Sequence, residues 1–187
     1  METIDFKTGQ ILNFSNSDTF LNKAILWFTK MKYPNADRWF EHCAIIGDMT
    51  ENKVEVYEAV SNGFIKSYYD KTSILGNSKI AVGYTTIPLT NVKENCEKYL
   101  GRSYGWFDIW NLAMIYVFGR TSKFFKFFKG SKSLICSEAL ARILYDASGK
   151  QLVLGYDDPT QTSEFNKYYD EITPEDIYLS KYMKWMK

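Results

Sequence analysis

The stretch HCAIIGDMTENKVEVYEAV, residues 42–60, restricts the fold more than any other part of the sequence. Two short apolar runs, HCAIIG and KVEVYEAV, flank the polar stretch DMTEN, a pattern typical of a β-hairpin. Because successive side chains of a strand point to opposite faces, His42 is expected to share a face with Ala44 and Ile46. Cys43 then faces the other way. The pattern therefore predicts an antiparallel sheet with His42 directed inward.

On the second strand of this hairpin, Glu58 ends an apolar face formed by Val54 and Val56, an unfavourable position for an unpaired carboxylate. A turn centred on Thr50 places Glu58 directly opposite His42. Opposed pairs have Cβ atoms about 4.5–5.5 Å apart, so that a carboxylate can orient an imidazole. A shift of two residues leaves them diagonal neighbours. The two side chains are predicted either to serve a reaction or to form a satisfied polar pair at a strand end.

A second pattern, SLICSEALARILYDASG at residues 133–149, predicts an amphipathic helix with a cysteine at its start. Gly149 suits its C-terminal end. The buried stripe would consist of Cys136, Ala139, Leu140, Ile143, Leu144 and Ala147. A free cysteine on such a face is most often an inert small hydrophobe. The free N–H groups of a first helical turn also favour thiolate, which makes Cys136 a candidate nucleophile.

Cys136, His42 and Glu58 together supply the groups that cysteine catalysis needs: a thiolate, a base and a group that orients the base. His42 is the only histidine of the chain, so any histidine-dependent chemistry must use it. A neighbouring imidazolium would lower the thiol pKa from its unperturbed value of about 8.5. The backbone N–H of Cys136 is the expected donor to the oxyanion formed on attack.

A metal site made of His42 and the three cysteines is the competing chemical interpretation. His42 and Cys43 face opposite sides of a strand, and no two cysteines have the spacing of zinc ligands. We therefore expect neither a metal nor a cofactor. Three cysteines, an odd number, also argue against a disulfide framework and favour a reducing compartment or a free reactive thiol.

The chain of 187 residues, 45% of them hydrophobic, is expected to form one domain over residues 1–187. Strands crowd the first half and helices the second, which favours an α+β fold. Further strands are predicted at GQILNF, GFIKSYY and KIAVGYTTIPL. Further helices are predicted at DTFLNKAILWFTKMKY, capped by Asp18, and at TNVKENCEKYLG, capped by Thr90 and ended by Gly101, whereas TPEDIYLSKYMKWMK is predicted to be a polar tail.

The formal net charge of +1 gives no indication of a nucleic-acid partner. The start METIDFKTGQ lacks the apolar run of a secretory signal, and WFDIWNLAMIYVFG is shorter than the ~20 residues of a membrane span. We therefore expect a cytoplasmic protein, or one released by lysis if a virus or phage encodes it.

The tract SKFFKFFKGSK is aromatic and basic, within an unusual stretch at residues 106–132. Its aromatic residues are candidates for a weak contact with a membrane surface: Phe124, Phe125, Phe127 and Phe128. A solvated loop with some core aromatics is the simpler interpretation. Such tracts also suit single-stranded nucleic acid, but this one is short.

The order of five segments resembles the circularly permuted branch of the NlpC-type papain-like cysteine hydrolases, which includes the YiiX-like proteins and the lecithin:retinol acyltransferases. The segments are EHCAIIG, VYEA followed by NGF, YLGRSYGWFDI, LICSEAL and ITPEDIYLS. The resemblance implies a small antiparallel barrel or sheet packed against helices, with the cysteine at a helix N-terminus. It implies Cys136 as nucleophile, His42 as general base and acid, and Glu58 as the residue that orients His42. Tyr104, in GRSYGW, aligns with a tyrosine beside the cysteine and is a supporting residue.

The expected function is hydrolysis of an amide bond, in a peptide or a peptidoglycan-type stem peptide, through a thioester acyl-enzyme. One alternative is an acyltransferase that passes the acyl group to a lipid or an amine. Another is a non-catalytic binding module that retains the fold. The expected partner is a peptide or an acylated small molecule, and the sequence leaves the oligomeric state open.

Overall fold

The protein is described by a computed structural model of residues 5–15, 20–36, 39–105, 134–158 and 160–186. The strands are β1 (Ile11–Phe14), β2 (His42–Met49), β3 (Lys53–Val60), β4 (Gly63–Asp70), β5 (Ile80–Thr85) and β6 (Met183–Trp185). The α-helices are α1 (Phe20–Lys32), α2 (Lys71–Gly76), α3 (Val92–Glu97), α4 (Cys136–Ala147) and α5 (Pro174–Leu179), and a 3₁₀ turn spans Tyr169–Glu171. These elements confirm the predicted α+β class.

The strands of the described residues form one open antiparallel sheet in the order β4-β3-β2-β1-β5-β6. The barrel that the family resemblance allowed is not formed, because β4 and β6 are separated edges that each pair on one side. β6 is only three residues long. The central strands β1 and β2 each pair with a strand on both sides. His42, at the start of β2, pairs with Phe14 of β1.

The two faces of the sheet are packed by different apolar clusters, since strand side chains alternate. The α4 face includes Ile11, Cys43 and Tyr57, which pack with the apolar residues of α4. The α2 face includes Leu12 and Ala44, together with Ile74 from α2. Alternation along β2 therefore follows the sequence pattern, with Cys43 and Ala44 on opposite faces.

The register of the β2–β3 hairpin differs from the predicted one. Glu58 lies opposite Ala44, so the expectation that it directly opposes His42 is wrong. The turn is centred between Glu51 and Asn52 rather than on Thr50, since Met49 pairs with Val54. An irregularity between Ile46 and Met49 shifts the pairing back by one residue, so the net displacement is two. Glu58 keeps the same face as His42, because the shift of the paired segment is two residues and the side-chain period is also two.

Two predicted helix features differ in the structure. The helix expected from Thr90 to Gly101 is only the six residues of α3, and its N-cap is Asn91 in the left-handed conformation with φ 50°. Thr90 instead donates its backbone N–H and hydroxyl to the carbonyl of Ala147, which ties this loop to the end of α4. Thr90 is therefore used as a tether between helices rather than as a cap.

The C-terminal segment is part of the sheet and not a polar tail. Thr173 caps α5 by accepting the N–H of Asp176, whose carboxylate accepts the Thr173 N–H at 2.8 Å. Pro174 follows at the first helical position, as is common at helix starts. The chain then returns as β6 and pairs with β5. The polar composition of this segment thus reflects a capping box and an edge strand.

Some predictions fall outside the described residues: Asp18 as a helix cap, and the aromatic and basic stretch 106–132 with Phe124, Phe125, Phe127 and Phe128. In the part of the chain that is described, no helix has both the length and the apolar character needed to cross a membrane.

Candidate active site

Cys136 is the first residue of α4 and follows Ile135, whose extended backbone caps the helix. The apolar stripe predicted for this helix is confirmed, since all six of its members are buried and Cys136 is 2% exposed. Ser137 donates its hydroxyl to the carbonyl of Ile172 at 2.5 Å, which fixes the first turn of the helix. The thiol is thus held at a helix N-terminus, where the backbone favours negative charge.

His42 begins β2 and is 9% exposed. Its Nε2 atom lies 2.7 Å from Oε2 of Glu58, although the two residues are diagonal rather than opposed in the sheet. Phe14, its partner on β1, holds the ring from the side with centroids 5.3 Å apart. The imidazole therefore has a fixed orientation, with Nε2 used by the carboxylate and Nδ1 left for another partner.

Glu58 is 3% exposed and accepts a second hydrogen bond, from the hydroxyl of Tyr69 to Oε1 at 3.0 Å. Ser67 also forms a hydrogen bond with the carboxylate. Burial raises the pKa of Glu58, but the hydrogen bond and charge of His42 outweigh it and lower the pKa below its usual value. The carboxylate stays ionised at neutral pH.

Tyr69 and Ser67 were not identified from the sequence, although a signal for them exists. The short connection between β3 and β4 pairs Val60 with Gly63. This register puts odd residues of β4 on the same face as even residues of β3, hence Tyr69 and Ser67 on the face of Glu58.

The remaining partner of His42 is the thiol of Cys136, with which it interacts through a hydrogen bond and through charge. Burial disfavours the imidazolium, but the interactions with Cys136 and Glu58 prevail and raise the pKa of His42 to about 10. The pKa of Cys136 is shifted in the opposite direction, well below its ordinary value. The two shifts together favour a thiolate on Cys136 paired with an imidazolium on His42.

Cys43 is a further neighbour of Cys136 that the sequence did not indicate. The hydrogen bond from the Cys43 thiol is the largest cause of the lowered pKa of Cys136. The backbone N–H of Cys43 also donates a hydrogen bond to the Cys136 sulfur. Burial and the hydrogen bond with Cys136 raise the pKa of Cys43 well above its ordinary value, so it stays neutral and donates. Alternation places His42 and Cys43 on opposite faces of β2, yet both contact one sulfur at the strand's start.

Tyr104 lies beside the segment that leads into α4. Its backbone forms a parallel bridge with Leu134, two residues before Cys136, and the Gly105 N–H bonds the Leu134 carbonyl at 3.0 Å. The side chain is 5% exposed and belongs to the apolar cluster that contains Cys136. The structure thus places Tyr104 near the cysteine through the backbone.

No protein-family model matches the chain, and no curated protein matches it in sequence. Its structure is similar to the crystal structure of metalloprotein YiiX from Escherichia coli O157:H7, DUF1105, with a TM-score of 0.57. The similarity covers 97% of this chain and 96% of YiiX, at 19% sequence identity. The chain has a YiiX-like fold. At this identity the likeness establishes the fold, and the chemistry rests on the residues of this chain.

YiiX is described as a metalloprotein, and whether a metal ion fits this chain depends on the donor groups of the chain itself. Within the described ranges, no group of three or more His, Cys, Asp or Glu side chains is arranged to hold a metal. His42 uses Nε2 for Glu58, and Glu58 uses its other oxygen for Tyr69. These residues bond to one another and do not fit a metal centre.

Proposed function

We propose that the protein is a cysteine-dependent hydrolase of amide bonds, with Cys136 as nucleophile, His42 as general acid and base, and Glu58 as the residue that orients His42. The observation that supports this best is the buried chain of interactions from the Cys136 sulfur through the imidazole to Glu58. Nucleophile, base and orienting group are the recurrent parts of such sites.

In the acylation step, the Cys136 thiolate attacks the carbonyl carbon of the amide and forms a C–S bond. The carbonyl electron pair moves to the oxygen, and the resulting oxyanion accepts a hydrogen bond from the backbone N–H of Cys136. The oxyanion then collapses, the C–N bond breaks, and the His42 imidazolium gives its proton to the leaving amine. The products are a thioester on Cys136 and a free amine.

In the deacylation step, neutral His42 takes a proton from water, and the oxygen attacks the thioester carbonyl. The C–S bond breaks and releases a carboxylic acid. His42 then holds the proton as imidazolium, and Cys136 returns to the thiolate. Glu58 keeps the ring orientation through both steps and stabilises the charged form, while Tyr69 fixes the Glu58 carboxylate.

We further infer that the fold is a permuted papain-like one, because the strand bearing His42 precedes the helix bearing Cys136 along the chain. The YiiX-like fold over 97% of the chain agrees with the family resemblance of the sequence segments. Tyr104 is assigned a supporting role, since its backbone flanks the residues before Cys136. Its aromatic ring would then form part of the wall around the nucleophile.

The substrate class that we propose is a peptide amide, such as the stem peptide of a peptidoglycan. The test is to incubate the protein with a panel of peptide anilides, a γ-glutamyl stem tetrapeptide and phosphatidylcholine vesicles. Amine or fatty-acid release and the intact mass of the protein are measured together. Cleavage of an amide with a transient acyl adduct on Cys136 is the expected result.

Matched variants make this test specific. Cys136→Ala removes the nucleophile, whereas Cys96→Ala removes a cysteine that is just as buried on α3. Adduct formation in the Cys96→Ala protein and none in the Cys136→Ala protein would support the proposal. Equal amide cleavage by both variants would contradict it, and acyl transfer from vesicles without amide cleavage would replace hydrolysis by acyltransfer.

A further inference from the structure

Cys43 and Cys136 are two free thiols that share a hydrogen bond, and they lie in the same apolar cluster at the start of β2 and at the start of α4. Both are buried, with exposures of 1% and 2%. The Cys136 sulfur accepts a hydrogen bond from the thiol of Cys43 and another from the backbone N–H of Cys43. The side chain of Cys136 is thus hydrogen-bonded to both the side chain and the backbone of Cys43.

The proposed hydrolase does not need a second thiol at this place, because a hydroxyl or a backbone N–H can also stabilise a thiolate. A second thiol offers one thing that a hydroxyl cannot, a covalent bond to sulfur. The thiolate is the form of cysteine that hydroperoxides oxidise, and a thiol next to the oxidised sulfur can condense with it.

We propose that Cys43 is a resolving cysteine for Cys136, so that a hydroperoxide converts this pair into a reversible disulfide. This inference rests on the proposed function to the extent that both require a thiolate on Cys136. It assigns a modification site and an oxidant class that hydrolysis does not involve.

The reaction balances in two steps. The Cys136 thiolate attacks the terminal oxygen of the hydroperoxide, the O–O bond breaks, and an S–O bond forms. Protonation then gives a sulfenic acid and an alcohol, or water from hydrogen peroxide. In the second step the Cys43 sulfur attacks the Cys136 sulfur, the S–O bond breaks, and the hydroxyl leaves as water with the proton of the Cys43 thiol.

The disulfide would switch off the proposed nucleophile and protect it at the same time. A sulfenic acid without a neighbouring thiol proceeds to sulfinic acid, which thiol reductants do not reverse. A disulfide returns to two thiols with dithiothreitol. The hydrogen bond between the two thiols already brings their sulfurs next to each other, as a disulfide requires.

Cys96 provides an internal control. It is 0% exposed on α3, and burial together with the charges of Glu55 and Glu97 raises its pKa to about 12. No cysteine is among the groups that act on it. Cys96 is therefore expected to remain reduced under conditions that oxidise Cys136.

The experiment treats the reduced full-length protein with hydrogen peroxide near neutral pH, blocks free thiols, and maps the peptides by mass spectrometry without reduction. The expected product is a peptide pair that joins Cys43 to Cys136 with loss of two hydrogens. Peroxide should decrease the alkylation of Cys136 by about tenfold or more, and dithiothreitol should restore it. Cys96 should stay free.

The Cys43→Ser variant keeps a hydrogen-bond donor but cannot form the bond. It is expected to gain two or three oxygens on Cys136 and not to recover with dithiothreitol, and Cys43→Ala gives the same readout if serine disturbs folding. Accumulation of sulfinic acid in the wild type, or a disulfide that involves Cys96 or a second molecule, would overturn the inference.

Iodoacetamide labelling of the untreated protein separates the two proposals. If Cys136 is labelled rapidly well below the ordinary thiol pKa but peroxide yields no bond with Cys43, the resolving role fails and the hydrolase proposal stands. If neither reagent modifies Cys136, both fail. If the bond forms and no amide is cleaved, the hydrolase proposal fails alone.

Discussion

The surroundings of Cys136 and of Cys96 differ more in their effect on the sulfur than in burial. Both cysteines lie in helices and in the same apolar cluster, and they are 2% and 0% exposed. Burial and nearby carboxylates raise the pKa of Cys96 to about 12. The pKa of Cys136 is lowered, by the Cys43 thiol and, against burial, by His42. Burial alone therefore does not make a cysteine inert, since its partners determine the charge.

The position of each cysteine within its helix shifts the pKa of its thiol in the same direction as these partners do. Cys136 is the first residue of α4, where N–H groups lack intrahelical acceptors, whereas Cys96 is the fifth of six residues in α3. Helix N-termini favour anions and C-termini disfavour them. The same side chain is thus predicted to be a nucleophile at one site and a packing residue at the other.

The largest expected effect separates these two cysteines directly. Cys136→Ala should reduce amide hydrolysis by at least about 10³-fold, because it removes the attacking atom. Cys96→Ala should keep hydrolysis within about twofold, because the charges that act on Cys96 are those of Glu55 and Glu97 and not those of His42 or Cys136. Initial rates at matched protein concentration check both; similar losses in the two variants would remove the distinction.

His42→Ala tests whether the imidazole creates the difference. The variant should lose about 10²–10⁴-fold in hydrolysis, because both proton transfers are lost. It should also raise the pKa of Cys136, since the hydrogen bond and charge of His42 help to lower it. Haloacetamide labelling against pH measures this shift, with Cys96 in the same digest as the reference. An unchanged labelling profile would mean that Cys43 and the helix suffice.

Glu58→Gln tests the carboxylate against a matched residue. Glu55 is also a buried glutamate of β3, but it lies on the opposite face and pairs with Lys66 at 3.3 Å. Hydrolysis needs protonated His42, so its alkaline limb should lie near the His42 pKa of about 10. Loss of the Glu58 charge should move this limb about 1–3 units lower. Glu55→Gln should leave it in place.

Tyr69→Phe is the smallest of these changes. It removes one hydrogen bond to Glu58 Oε1 and leaves the bond between Glu58 and His42. The free energy of unfolding should fall by about 1 kcal/mol, and hydrolysis by less than about tenfold. Urea denaturation and initial rates check this. A loss as large as that of Glu58→Gln would assign Tyr69 a more direct role.

The sequence predicted which side chains come together better than it predicted how they are arranged. Period-two alternation gave the faces of His42 and Glu58, and helical spacing gave the buried stripe that begins at Cys136. Neither the centre of the turn, between Glu51 and Asn52, nor the irregularity in β2 could be read from the polar segment, so the register was wrong by two residues. The side chains of His42 and Glu58 still form a hydrogen bond, because a displacement of two residues keeps them on the same face as diagonal neighbours.

The contact between Cys43 and Cys136 shows what a local pattern cannot supply. Alternation correctly separates Cys43 from His42, but it says nothing about which helix covers each face. The packing of α4 on β2 brings the helix start to the strand start, where both residues reach one sulfur. Such a site depends on tertiary packing, which no spacing along the chain encodes. The polar C-terminal segment was misjudged for a similar reason, because its pairing partner is the distant strand β5.

The most direct test of the account is the charge of Cys136 as a function of pH, measured by the ultraviolet absorbance of the thiolate. The absorbance of the wild type is compared with that of Cys136→Ser from acidic to mildly alkaline pH, with Cys96→Ser as control. This readout does not require a reagent to reach the buried sulfur. The account predicts thiolate absorbance well below the ordinary thiol pKa, lost in Cys136→Ser and retained in Cys96→Ser. Absorbance that develops only near the ordinary thiol pKa of about 8.5 would contradict it.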